Sequence, residues 1–280
     1  MKILTCNPDG GAFNYILQGL INAFKYSGVD VSRNVGKTLT SDFNLYIGCS
    51  GWRQNIPTKS KNRGIVGIHV NPFGTKKVGN IDGGPAIDES KSAIEWVVQQ
   101  KPDFLYCYCS ETFIPEYFNF WTEKYGIPVL PFPTAADITV YKPQTQHAEY
   151  KCDIGWVGGK WPYKAVMLNQ YITPLITKYN CKIYGWADTW KTGKSIKDND
   201  VPKLFASAKI CPSVSESHTF HHPVDVPERV FKVPVAGGFT IHTYSPAIKD
   251  LFGDVIPTAN NQTKWMNIID HYLNDNEARS

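Results

Sequence analysis

The chain has 280 residues, 42% of them hydrophobic and 19% charged, which is room for two ordinary domains and too apolar for disorder. A formal charge of +4 suits anionic ligands such as phosphates and falls short of the dense basic character of a dedicated nucleic-acid binder. Seven scattered cysteines with no Cys-x-x-Cys pair argue against a zinc ribbon or redox motif, and read as buried thiols of a reducing compartment.

Lys2-Ile-Leu-Thr-Cys6 is a short apolar run that ends in Asn7-Pro-Asp-Gly-Gly11, a strong turn signal. Phe13, Ile16, Leu17, Leu20, Ile21 and Phe24 then recur at helical spacing. Strand, glycine loop and helix open a nucleotide-binding type of α/β domain. Further strands are predicted at 43–47, 64–70, 104–109 and 128–130, and helices at 92–98 and 112–124. The aromatic run from Tyr117 to Trp121 reads as core packing. Residues 131–150, with Pro131-Phe-Pro133 and Tyr141-Lys-Pro143, read as an interdomain linker, so the domains are expected at 1–140 and 141–280.

The pattern then restarts. A strand at 152–157 meets the loop Gly158-Gly159-Lys160 and a helix at 165–178, a placement that favours a ligand loop. A strand at 181–184, a helix at 201–208 and a strand at 209–212 follow. After a polar loop, Asp225-Val-Pro-Glu-Arg229 opens a helix expected at 227–236, with Asp225 as N-cap and Pro227 in the first turn. A helix start of this kind suits a diphosphate, and Arg229 and Lys232 add positive charge. Gly237-Gly238 stops that helix before a strand at 239–242, and helices follow at 246–252 and 264–273. Alternating strands and helices predict two facing Rossmann-like α/β domains.

The stretch Pro227-Glu-Arg-Val-Phe-Lys-Val-Pro-Val-Ala-Gly-Gly-Phe-Thr-Ile241, with Ile248-Lys-Asp-Leu-Phe252, resembles glycosyltransferases of the two-domain GT-B fold, specifically the CgeB-like group. Asp153-Ile-Gly-Trp-Val-Gly-Gly159 and Pro133-Thr-Ala-Ala-Asp137 extend the similarity over roughly residues 128–280. The resemblance implies a nucleoside-diphosphate sugar, with a UDP-sugar expected, bound mainly by the C-terminal half in an interdomain cleft. Gly158 and Gly159 would let the backbone approach the diphosphate, with Lys160 in the same loop. Tyr184, Gly185 and Trp186 would line the base pocket. The loop from Ser213 through Glu216 to His218 would approach phosphates and sugar, and Arg229 would sit by the phosphates. Lys232 stands where the family has a glutamate that accepts hydrogen bonds from ribose hydroxyls, which a lysine cannot do. Glu228, one turn earlier, is the residue able to replace it; otherwise the donor is held differently or its binding has been lost.

The N-terminal half would supply the acceptor site and, for an inverting enzyme, a general base. Asp9 in the first strand-end loop is the first candidate, followed by His69, Asp82 and Glu111. A required divalent ion is not implied. His218, His221 and His222 fit no common zinc spacing and read as polar contacts. The acceptor is expected to be a hydroxyl of a glycan or glycoconjugate. A hydroxymethylated base in DNA, of the kind small viral enzymes of this fold modify, is the alternative, with basic segments at Lys59-Ser-Lys-Asn-Arg63 and Lys76-Lys77. A third reading is a non-catalytic sugar-nucleotide or glycan-binding module, which Lys232 favours. Residues 1–6 are too short for the apolar region of a signal peptide, and no window reaches the ~18 apolar residues of a membrane span, so a soluble cytoplasmic protein is expected.

Overall fold

The structure, a computed structural model, describes residues 1–6, 11–34, 36, 39, 42–50, 53–54, 56, 63–71, 91–160, 162–185, 195–216, 224 and 226–279. Described residues up to Asp137 form one compact unit and those from Ile138 another. Of the segment expected as a linker, the part before this boundary is tied to the first unit, where Asn22 Nδ2 donates to Asp137 Oδ2 at 2.7 Å. The part after it is bonded into the second, through Gln144 N to Ala236 O at 3.1 Å and His147 N to Ser207 Oγ at 2.8 Å.

The first unit carries β1 (Lys2–Thr5), α1 (Gly11–Tyr26), β2 (Asp30–Arg33), β3 (Phe43–Cys49), β4 (Arg63–His69), α2 (Lys91–Gln100), β5 (Phe104–Cys107), α3 (Ile114–Tyr117), α4 (Asn119–Tyr125) and β6 (Val129–Pro131). Its sheet is wholly parallel, in the order β2-β1-β3-β4-β5-β6. β3 and β4 end in runs of buried residues, as expected of parallel strands covered on both faces. β2 escapes the sequence pattern because it is an edge strand whose only fully buried residue is Val31. The helix expected at 112–124 is broken at Phe118, whose φ of −131° turns the chain so that Phe118 and Trp121 are both buried.

The second unit carries β7 (Cys152–Val157), α5 (Pro162–Tyr171), α6 (Thr173–Lys178), β8 (Cys181–Tyr184), α7 (Val201–Ser207), β9 (Ala208–Ile210), α8 (Arg229–Val235), β10 (His242–Thr243), α9 (Pro246–Phe252), β11 (Thr258–Ala259) and α10 (Gln262–Asn274). The helix expected at 165–178 divides at Ile172, because Pro174 has no N–H to continue the ladder. β8-β7-β9 and β10-β11 are parallel ladders joined by the Ser213–His242 bridge. Cys211 N and Ser213 N donate to Phe239 O and Ile241 O at 2.9 and 2.8 Å, so the chain before β10 runs beside the extension of β9. Helices cover both faces. Trp156, Leu168, Leu175, Ile241 and Trp265 pack on one, and Leu204, Phe205, Cys211, Val233 and Ala236 on the other. Among the described residues no disulfide forms and six of the seven cysteines are buried.

Gly238 shows how tightly α7 and α8 meet: a Cβ there would lie 2.2 Å from the Phe205 carbonyl oxygen. Gly238→Ala is therefore expected to destabilise the chain by about 1–3 kcal/mol, since the neighbour is backbone and cannot swing aside. Denaturant unfolding of wild type and variant measures the difference.

Among the described residues no helix is long and apolar enough to cross a membrane.

Candidate functional site

The chain reverses its direction of travel across the second sheet between β7 and β9. From β7 the chain moves to β8 on one side, and returns past β7 to β9 on the other. The connecting helices α5–α6 and α7 pack on opposite faces, and open α/β sheets bind ligands at the carboxyl ends of strands at such a reversal. Gly158-Gly159-Lys160 follows β7, and Cys211-Pro212-Ser213 follows β9. Gly158 has φ +150°, a conformation costly for any side chain, and a Cβ there would meet Arg229 Nη2 at 3.4 Å. Its N–H donates to Tyr184 O at 2.9 Å, which fixes the loop to the end of β8.

Arg229 is half-buried, with its guanidinium turned inward. The group lies 4.1 Å from the Trp156 ring centre and 5.9 Å from that of Phe205, side chains of opposite core faces. Nη2 donates to the Val157 carbonyl oxygen, while Nη1 is buried with no hydrogen-bond partner among the described residues. Burial lowers the pKa to about 10, so the cation persists at neutral pH. Stacking on an indole recovers about 2 kcal/mol and one charged hydrogen bond about 1.5–3, against several kcal/mol for removing a cation from water. Among the described residues one donor of this cation lacks an acceptor, which an anion would supply.

The helix carrying Arg229 is shorter than the sequence suggests. It begins at Arg229 itself, with Glu228 at the N-cap and no side-chain cap bond; Pro227 precedes it, and Asp225 lies outside the described residues.

His242, a strand residue in the sequence pattern, is fully buried at the start of β10. Its Nδ1 contacts the Thr243 carbonyl oxygen, and Nε2 is buried without a partner among the described residues. Burial first, and then the Arg229 charge, push its pKa down to about 4 against the pull of the Thr243 carbonyl.

Ser213 is buried between Ile241 and Thr243, exchanging backbone bonds with both. Glu216 pairs with Lys164 of α5 at 2.8 Å. Glu228 and Lys232 form a 2.8 Å ion pair one turn apart, and Lys232 Nζ lies 5.1 Å from the Tyr141 ring centre. The Tyr184 ring is half-buried, 6.4 Å edge-on to Tyr150. Lys160 is half-buried in the loop after β7. Trp186 and His218 lie outside the described residues.

In the first unit His69 ends β4, buried and stacked on Tyr108 at 4.3 Å, with Cys49 Sγ 4.0 Å from Nδ1. Glu111 is exposed just beyond β5. Asp9 and Asp82 fall outside the described residues, as do Lys59, Lys61, Lys76 and Lys77. Arg63, the remaining basic candidate for DNA, is corrected by the structure. Its side chain is 1% exposed and donates to Lys101 O at 2.9 Å, with Asp103 3.4 Å away. It closes the amino end of β4 and offers nothing to a phosphate.

Residues 164–280 match a protein-family model described as "Glycosyl transferase-like". No curated protein matches the chain. Among solved structures, an α1,3-fucosyltransferase with GDP aligns over 99% of this chain and 79% of its own, at 10% identity and a TM-score of 0.56. An α-glucosyltransferase in complex with UDP and a 13-mer DNA containing an HMU base aligns over 100% and 92%, at 10% identity and a TM-score of 0.58. The fold is therefore the GT-B fold, two Rossmann-like units in one chain, and the family match supports a role in glycosyl transfer.

Proposed function

We propose that the chain transfers a sugar from a nucleoside-diphosphate donor, expected to be a UDP-sugar, to an acceptor hydroxyl. The carrying observation is the buried Arg229 cation at the end of β7, one of whose donors has no acceptor among the described residues. A diphosphate beside Gly158-Gly159-Lys160 would supply its missing acceptor and pay back the cost of burial. The same contact strengthens as negative charge develops on the departing diphosphate, which is electrostatic catalysis of the leaving group. Glu228 supplies the acceptor function that Lys232 lacks. A carboxylate has about four lone-pair sites, and the bond to Lys232 leaves others for ribose hydroxyls. Ser213 and Glu216 follow β9 and are proposed to face the same ligand. The general base is proposed among Asp9, His69 and Asp82. Tyr184, Trp186 and His218 keep the base- and sugar-facing roles that the CgeB-like resemblance implies.

A panel of nucleoside-diphosphate sugars in a thermal-shift experiment tests the donor. At ~100 times its dissociation constant the right donor should add about 2.7 kcal/mol of stability. No stabilisation by any member contradicts the reading. Slow release of nucleoside diphosphate separates an enzyme from a pure binding module, which would release none.

A glycan or glycoconjugate is the acceptor we favour. Duplex DNA is the second reading, favoured by the fold shared with a DNA-bound glucosyltransferase. DNA binding would weaken with salt by about 0.9 log units per log unit for each phosphate contact, whereas a neutral glycan would show almost no slope. Binding to hydroxymethylated duplex across a salt series is the measurement.

A further inference from the structure

The His242 ring has one nitrogen committed and one open. Nδ1 faces the Thr243 carbonyl oxygen. A carbonyl only accepts, so Nδ1 holds the proton of the neutral ring and Nε2 is a bare lone pair. Among the described residues nothing donates to Nε2, and the side chain is fully buried. The nearby Arg229 Nη1 has the opposite need, a proton without an acceptor. A phosphate oxygen satisfies Arg229 and would repel the lone pair of His242. His242 requires a donor, and once a phosphate oxygen holds Arg229 a ligand hydroxyl is the group that can supply it.

Phosphate oxygens and hydroxyls adjoin in a glycosyl phosphate. We propose that His242 is a specificity residue whose Nε2 accepts a hydrogen bond from a hydroxyl of the glycosyl donor, beside the phosphate oxygen taken by Arg229. This rests on the donor reading above. The hydroxyl comes from the transferred sugar or from the ribose, and binding measurements separate the two.

The test is calorimetric titration of wild type, His242→Phe and His242→Gln with UDP, UDP-glucose, GDP and GDP-fucose. If the transferred sugar supplies the hydroxyl, His242→Phe weakens the nucleotide sugar about tenfold and leaves the nucleoside diphosphate unchanged. If the ribose supplies it, both weaken alike. In either case His242→Gln, whose carboxamide oxygen accepts, restores most of the affinity. His242→Met serves as the apolar variant should phenylalanine prevent folding. Wild-type affinity in the apolar variant overturns the proposal, and leaves a buried water bridging Arg229 and His242 as the partner. Equal losses in the apolar and glutamine variants also overturn it, because they mark packing alone. Those two results leave the donor reading standing; a wild type that binds none of the four overturns both.

Discussion

Replacing Arg229 with methionine is expected to weaken binding of the nucleoside-diphosphate donor by roughly 1.5–3 kcal/mol, or about 10- to 150-fold, in a chain that still folds. Methionine keeps an apolar chain against Trp156 and removes only the charge and its donors. Arg229→Ala should do more. It deletes the stacking at 4.1 Å and the bond to Val157 O, and leaves a void between the two core faces. A loss of about 2–4 kcal/mol of stability is expected there, against less than about 1.5 for methionine. The pair of variants separates the structural work of this arginine from its work on the ligand. Denaturant unfolding and calorimetry on both measure it. Unchanged donor affinity in Arg229→Met would reduce Arg229 to a pin between α8 and β7.

The second large effect is on acid stability. Burial lowers the His242 pKa from its ordinary 6.5 to about 4, so the folded chain refuses a proton that the unfolded chain takes. Above pH 6.5 neither form is protonated and the contribution to stability is complete. As the pH falls towards 4 it is lost, because the unfolded state binds more protons across that window. Wild type should lose about 3 kcal/mol more than His242→Phe between neutral pH and about pH 4. The difference between the two isolates His242, since every other titrating group is common to both. Parallel stability curves would show that the ring reaches a partner or water when protonated.

The sequence makes the second unit legible because its signals are local. Asp153-Ile-Gly-Trp-Val-Gly-Gly159 places strand, loop and helix, and Gly237-Gly238 marks the end of α8. What stays hidden is three-dimensional. Arg229 reads as a charge at a helix start, yet the structure turns it into the core, since Trp156 and Phe205 meet it from elements 73 and 24 residues away. Arg63 sits in a basic run and proves to be a buried tie to Asp103. His242 carries no motif at all; its meaning lies in the Thr243 carbonyl that fixes one nitrogen and in the sheet that isolates the other. β2 is missed for a simpler reason, since four residues at a sheet edge need bury little.

Amide hydrogen exchange with and without a donor that stabilises the chain tests the central claim most directly. UDP-glucose and GDP-fucose are the first probes. Donor held at the reversal point between β7 and β9 should protect the amides of Gly158 to Lys160, Ser213 to Glu216, and Val226 to Val230, leaving the amino ends of the same strands unchanged. Protection confined to the first unit, by a ligand that raises the melting temperature, would contradict the account and move the donor site away from Arg229.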